Sequence, residues 1–176
     1  MGNLKTVITT LNAKYIHTNL AVRILYQLNK SRVPDLFWSE FTIKQPIDEI
    51  VNQLLSYDQI AFSCYIWNIM PILQCVQSLK ANKPQIKILL GGPEVSYDAE
   101  HLLQRYPIDA ICYDEGEKPF SDWILNSNQP EAIDGICWKN NSTVVRNPPA
   151  LKTPVGCLAA IQPYADDDIN ELIKKS

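Results

Sequence analysis

A doubly wound α/β domain, a parallel sheet covered by helices on both faces, is expected from three features of this chain. Short β-rich apolar runs alternate with longer amphipathic stretches, giving five strand–helix pairs before residue 130. Each parallel crossover needs a covering element, so strict alternation means helices on both faces. The 176 residues, 46% hydrophobic and 20% charged, suit one ordered core. Glycines number only 6, yet two are adjacent where the fourth run ends, and five of the 12 prolines follow residue 129.

The elements follow in order. Residues 4–10 (LKTVITT) are a β-branched run and read as the first strand. After Thr18, the positions Leu20, Ile24, Leu25 and Leu28 form the stripe of an amphipathic helix. Residues 36–43 (LFWSEFTI) read as a second strand. Pro46 sits where a first helical turn tolerates it, and Ile47, Ile50, Val51, Leu54 and Leu55 make the next stripe. Residues 59–64 (QIAFSC) are a short buried strand, followed by a helix over 69–79 carrying Ile72, Leu73, Val76 and Leu79. The fourth strand, 86–90 (IKILL), runs into Gly91, Gly92 and Pro93. A helix over about 97–106, a strand at 109–113 and a helix from near Lys118 complete the alternation. Residues 135–138 and 143–146, separated by Lys139, Asn140, Asn141 and Ser142, predict a closing β-hairpin with a polar turn. The expected organisation is a wound domain over 1–130, a hairpin extension over 131–150 and a linker over 151–176.

Composition excludes several classes of function. A net charge of −3 argues against a surface built to grip nucleic acid. No apolar run approaches the roughly 20 residues that span a bilayer, and no charged n-region and apolar h-region open the chain. A soluble, cytoplasmic protein with neither nucleic-acid nor membrane partner is expected. Cys64, Cys75, Cys112, Cys137 and Cys157 are odd in number and spaced 11, 37, 25 and 20 apart, a pattern of neither a disulfide framework nor a metal cluster. They read as small buried apolar residues.

In an open parallel sheet, ligands sit beyond the carboxyl ends of the strands, where strand order reverses. Four segments fall there: residues 9–15 (TTLNAKY), 63–68 (SCYIWN), 91–96 (GGPEVS) and 114–117 (DEGE). A paired glycine in a glycine-poor chain suggests a backbone that something approaches closely. Each segment also has a structural explanation: Thr9 and Thr10 ending a strand, Ser63 capping a helix, Trp67 in the core, Gly91-Gly92-Pro93 as a tight turn. Their joint placement on one rim is the signal.

Together these residues resemble a family. TTLNAKYIHTNLAVR at 9–23, FSCYIWN at 62–68, GGPEVSYD at 91–98 and DEGEKPF at 114–120 are similar to the N-terminal cobalamin-binding domain of B12-binding radical SAM proteins. The resemblance spans nearly the whole chain, including a tail around Pro163-Tyr164 and residues 166–172 similar to the linker before the radical SAM barrel. The barrel's CxxxCxxC motif does not occur in this sequence, so the chain looks like an isolated front domain.

The resemblance implies a flavodoxin-like sheet of five strands in the order 2-1-3-4-5, with a corrinoid over the strand ends and a cleft that admits its nucleotide tail. Gly91 and Gly92 match the paired glycines beside that tail, and Ser63 matches a hydroxyl position at the end of the third strand. By position, Thr10, Asn12, Tyr65, Trp67 and Glu94 would supply hydrogen bonds or aromatic contact, with Pro93, Gly116 and Glu117 completing the cofactor-binding set. No catalytic residue is expected within the chain. Many cobalamin domains carry Asp-x-His-x-x-Gly after the first strand. Aligned on His17, this chain has Tyr15 for Asp and Leu20 for Gly, and a histidine ligand needs such a partner to fix its tautomer. A base-off cobalamin without a histidine ligand is therefore expected, with His17 as the lone candidate for cobalt. S-adenosylmethionine and a 4Fe-4S cluster belong to the downstream barrel, a partner in cis. The implied function is the corrinoid module of a radical SAM enzyme, methyltransferase-like, with no complete active site of its own.

Other readings stay open. A cofactor-free scaffold follows if Asp114, standing where the family shows glycine, disturbs a turn that needs positive φ. An FMN protein or phospho-receiver is disfavoured, because no glycine opens the first loop and no carboxylate follows the first strand or ends the third. Asp166-Asp167-Asp168 reads as a solvated helix start, the Asn140 and Asn141 sequons need secretion to matter, and no nucleophile elbow occurs.

Overall fold

The computed structural model describes residues 4–14 and 18–164. Seven strands form one sheet: β1 (Thr6–Asn12), β2 (Leu36–Thr42), β3 (Gln59–Ser63), β4 (Lys87–Gly91), β5 (Ala110–Cys112), β6 (Ile136–Asn140) and β7 (Thr143–Arg146). Their order is β2-β1-β3-β4-β5-β6-β7. The first five are parallel in the expected order 2-1-3-4-5, and the hairpin continues the same sheet antiparallel beyond β5. A hairpin edge lets the sheet end without another crossover.

Among the described residues seven α-helices accompany them: α1 (Leu20–Asn29), α2 (Ile47–Leu54), α3 (Ile69–Asn82), α4 (Pro93–Ser96), α5 (Ala99–Arg105), α6 (Glu117–Asn126) and α7 (Val155–Ala159). Two cores result. Val7, Leu11, Ile60, Ile88 and Leu90 face α2, α3, α4 and α5, contributing Ile50, Leu54, Ile72, Val76, Val95 and Leu103. On the other face, Ile8, Ala61, Leu89 and Ala110 meet Val22 of α1 and Phe120 and Trp123 of α6. α1 and α3 pack on opposite faces and the strand order reverses between β1 and β3, the arrangement that opens a crevice at the carboxyl ends of those strands.

Several boundaries differ from expectation for identifiable reasons. β1 continues to Asn12 although TTLN is polar, because each buried side chain has a partner. Thr9 Oγ1 accepts from Ser39, and Thr10 Oγ1 donates to the Ser63 carbonyl. The helix expected over 97–106 is two: Pro93 starts α4 at once, Tyr97 is 96% exposed, and α5 restarts at Ala99. The hairpin turn is tighter than expected, with Asn140 paired to Thr143 and Asn141 at φ 54°, a left-handed conformation that asparagine tolerates. The expected linker carries α7 and leans back on the domain through Lys152, whose Nζ lies 3.2 Å from Glu115 Oε1. Among the described residues, no helix is long and apolar enough to cross a membrane.

Candidate functional site

The rim at the strand carboxyl ends is built from buried polar side chains that tie its loops together. Asn68, fully buried just before α3, donates to Thr10 Oγ1 at 3.1 Å, the Leu11 carbonyl at 3.1 Å and the Ser63 carbonyl at 3.2 Å. Its Oδ1 accepts from the Tyr65 N–H at 2.7 Å. One amide thus fastens the ends of β1 and β3 to the loop bearing Tyr65 and Trp67. A second network centres on Glu40, whose carboxylate accepts from Asn12 Nδ2, Thr18 Oγ1 and the Asn19 N–H at 2.9–3.0 Å. Arg23 approaches the same carboxylate at 3.5 Å and lies 3.5 Å from the Trp38 ring centroid. Asn19 caps α1 by accepting from the Val22 N–H. Together these contacts hold α1 beside β1.

Between α1 and α6 a cleft of about 410 Å³ opens, floored by Ile8, Ala61 and Leu89 and walled by Leu25, Cys112 and Phe120. Its size and largely apolar lining lie within the range of small-molecule sites. The paired glycines meet different demands there. Gly92 has φ +113°, and a Cβ on it would stand 2.4 Å from the Cys64 carbonyl oxygen, so the fold itself requires glycine. Gly91 has ordinary backbone, and a Cβ there would meet Cys112 Cβ at a comfortable 3.5 Å. Gly116, at the N-terminus of α6, is likewise free of close neighbours, its nearest being Leu25 Cδ1 at 3.8 Å. Nothing in the chain's own packing needs glycine at 91 or 116, and both border the cleft.

The expected residues divide accordingly. Ser63, Tyr65, Gly91, Gly92, Pro93, Gly116 and Glu117 line the cleft. Thr10 and Asn12 are buried in the networks that shape it. Trp67 is 48% exposed rather than core, and stacks on Tyr65 with centroids 4.6 Å apart and planes within 4°. Glu94 stands on the short helix α4 at the rim. Ser63 caps no helix, since α3 begins six residues later. Asp114 lacks the positive φ that would have disturbed its turn, Asn141 alone having one among the described non-glycine residues. His17 and Tyr15 lie outside the described residues, as do Asp166, Asp167 and Asp168. Burial and the negative charge of Glu117 push the Cys112 thiol up to about 12, so it faces the cleft uncharged. Sequence reasoning missed Asn68, Glu40 and the apolar floor; the unusually small Ala61 in an apolar strand was the available hint.

A wider groove of about 1080 Å³ lies at the opposite sheet end, beside the hairpin. Its Lys80 and Lys87 face Asp109, at 2.7 and 3.9 Å, and it lies away from the strand carboxyl ends. Among the described residues, no group of three or more His, Cys, Asp or Glu is placed to hold a metal ion.

Comparison with known proteins decides the family. The family model described as "B12 binding domain" matches residues 6–124, from β1 into α6. The chain belongs to the B12-binding domain family. Among curated relatives, the cobalamin-dependent radical SAM methyltransferase TokK of Streptomyces tokunonensis is 25% identical over 114 residues, 62% of this chain and 17% of that protein. Among solved structures, the cobalamin-dependent S-adenosylmethionine radical enzyme OxsB, with aqua-cobalamin and S-adenosylmethionine bound, matches with TM-score 0.70 at 19% identity, covering 85% of this chain and 23% of that one. The radical S-adenosylmethionine methyltransferase TsrM of Kitasatospora setae, with cobalamin and a 4Fe-4S cluster bound, matches with TM-score 0.69 at 13% identity, covering 88% and 30%. At these identities the structures establish the shared fold. The chain thus spans about a sixth of the length of the curated relatives it matches.

Proposed function

We propose that the carboxyl-end rim binds cobalamin, and that the chain serves as the corrinoid module of a radical SAM enzyme that transfers methyl groups. The observation that carries this reading is the pair Gly91 and Gly116, which keep an apolar cleft open where the chain's own packing would accept side chains. Ser63 and Gly91 would border the nucleotide tail in that cleft, and the stacked Tyr65–Trp67 pair would offer the corrin an aromatic surface. Glu94 and Glu117 would accept hydrogen bonds from the corrin's peripheral amides, while Thr10 and Asn12 act by holding the loops in place. Bound there, the corrinoid would supply a cobalt centre that carries a methyl group. The cofactor would be held base-off, without His17 as a cobalt ligand. S-adenosylmethionine and a 4Fe-4S cluster would be held by a radical SAM domain in cis, following a wound domain over 1–130, a hairpin over 131–150 and a linker over 151–176.

Calorimetric titration with hydroxocobalamin tests the reading, and one saturable equivalent is expected. At a free concentration one hundredfold above Kd, mass action adds about 2.7 kcal/mol to stability, visible as a raised Tm. Absence of saturable uptake and of any Tm shift overturns it. The visible spectrum of the complex is expected to be base-off and unchanged in His17→Ala; a nitrogen-ligated spectrum lost in that variant would reverse the assignment for His17.

A further inference from the structure

The geometry points to a cleft that selects its corrinoid by the nucleotide base, taking a benzimidazole-type base in preference to a purine. This rests on the reading of the rim as a corrinoid site. The floor and walls, Ile8, Leu25, Ala61, Leu89, Cys112 and Phe120, offer hydrocarbon and one thiol. The backbone beneath them is occupied: Ile8 pairs with Ala61, Ala61 with Leu89 and Leu89 with Ala110 in the parallel ladder. Hydrogen-bonding side chains, Ser63, Tyr65, Asp114 and Glu117, stand only at the strand end, in the loops beyond the strands and at the first position of α6.

Off cobalt, a dimethylbenzimidazole carries one free ring nitrogen, on its imidazole end, and its opposite end presents only methyl groups and a carbocycle to such a floor. A purine carries an exocyclic amine and additional ring nitrogens, which would reach the floor without partners. A buried polar group without a partner carries its full desolvation cost, whereas the apolar base gains from burial. The smallness of Ala61 and Gly91 leaves depth for a bicyclic base rather than forcing it to the mouth.

Three probes test the inference on the 176-residue protein by calorimetry and thermal shift: aquacobalamin, the corrinoid carrying adenine as its base, and diaquacobinamide, which has no base. Aquacobalamin is expected to bind about tenfold or more tightly than the adenine corrinoid, and more tightly than cobinamide. Gly91→Val, which fills the cleft where a Cβ already fits, is expected to remove the advantage of aquacobalamin over cobinamide while melting cooperatively. Cys112→Ser, which adds a hydroxyl to the wall at nearly unchanged volume, is expected to narrow the gap between the two bases. Equal affinity for cobalamin and the adenine corrinoid overturns the inference, as does cobinamide binding as tightly as cobalamin; in both cases the corrinoid site itself stands. Failure of all three to bind overturns the site and the selectivity with it.

Discussion

Gly91 and Gly92 are neighbours of identical type with opposite reasons for being glycine. At Gly92 the positive φ and the Cys64 carbonyl leave no room for a Cβ, so the residue serves the turn from β4 into α4. At Gly91 the fold would accept alanine, so the reason lies in the cleft. Gly92→Ala is expected to cost about 3 kcal/mol of stability, the sum of backbone strain and a clash with main chain. Gly91→Ala is expected to stay within about 1 kcal/mol of the parent. Urea denaturation of the two variants checks this, and similar losses at both positions would remove the distinction. The sequence displayed the pair but not the difference, because the obstructing carbonyl belongs to Cys64, just beyond β3 and 28 residues away.

At the scale of elements, the strands were legible as short β-rich apolar runs, and α1, α2 and α3 by apolar stripes at the helical spacing. The split between α4 and α5 was not. Pro93 is a helix-starting signal, yet it follows a double glycine that reads as loop, and Asp98 interrupts what the apolar spacing joins. Asn68 was invisible as a fastener, since a lone asparagine in SCYIWN shows nothing of the three carbonyl and hydroxyl oxygens that gather around it. Asn68→Ala is expected to destabilise by about 3 kcal/mol, because it leaves several buried groups without partners. Asn68→Asp is expected to be worse, placing a carboxylate against the carbonyls of Leu11 and Ser63. Equilibrium denaturation reads both, and a loss below about 1 kcal/mol in Asn68→Ala would mean that β1 and β3 are aligned without it.

Across the whole molecule, the five cysteines divide by burial. Cys64, Cys75, Cys112 and Cys137 are buried and Cys157 is exposed on α7. Burial raises the pKa of each of the four, Cys75 to about 12, so little thiolate forms at pH 8. A thiol reagent at pH 8 is expected to label one cysteine rapidly in the native protein and the remaining four only with unfolding; mass spectrometry identifies the site, and fast labelling of two or more would show a looser core. The sequence alone determined the alternation that makes a parallel wound sheet, the rim on which a ligand would sit, and the motifs that carry the family resemblance, because periodicity and short motifs are local properties. Tertiary structure decided the rest. It joined the hairpin to the sheet, turned Thr10 and Asn12 into fasteners, gathered Asn68 and Glu40 into networks, and shaped a cleft from Ile8, Ala61, Leu89 and Phe120. Those residues come from four elements that meet only when β1, β3 and β4 lie side by side under α1 and α6, and a cleft is a property of that meeting rather than of any one segment.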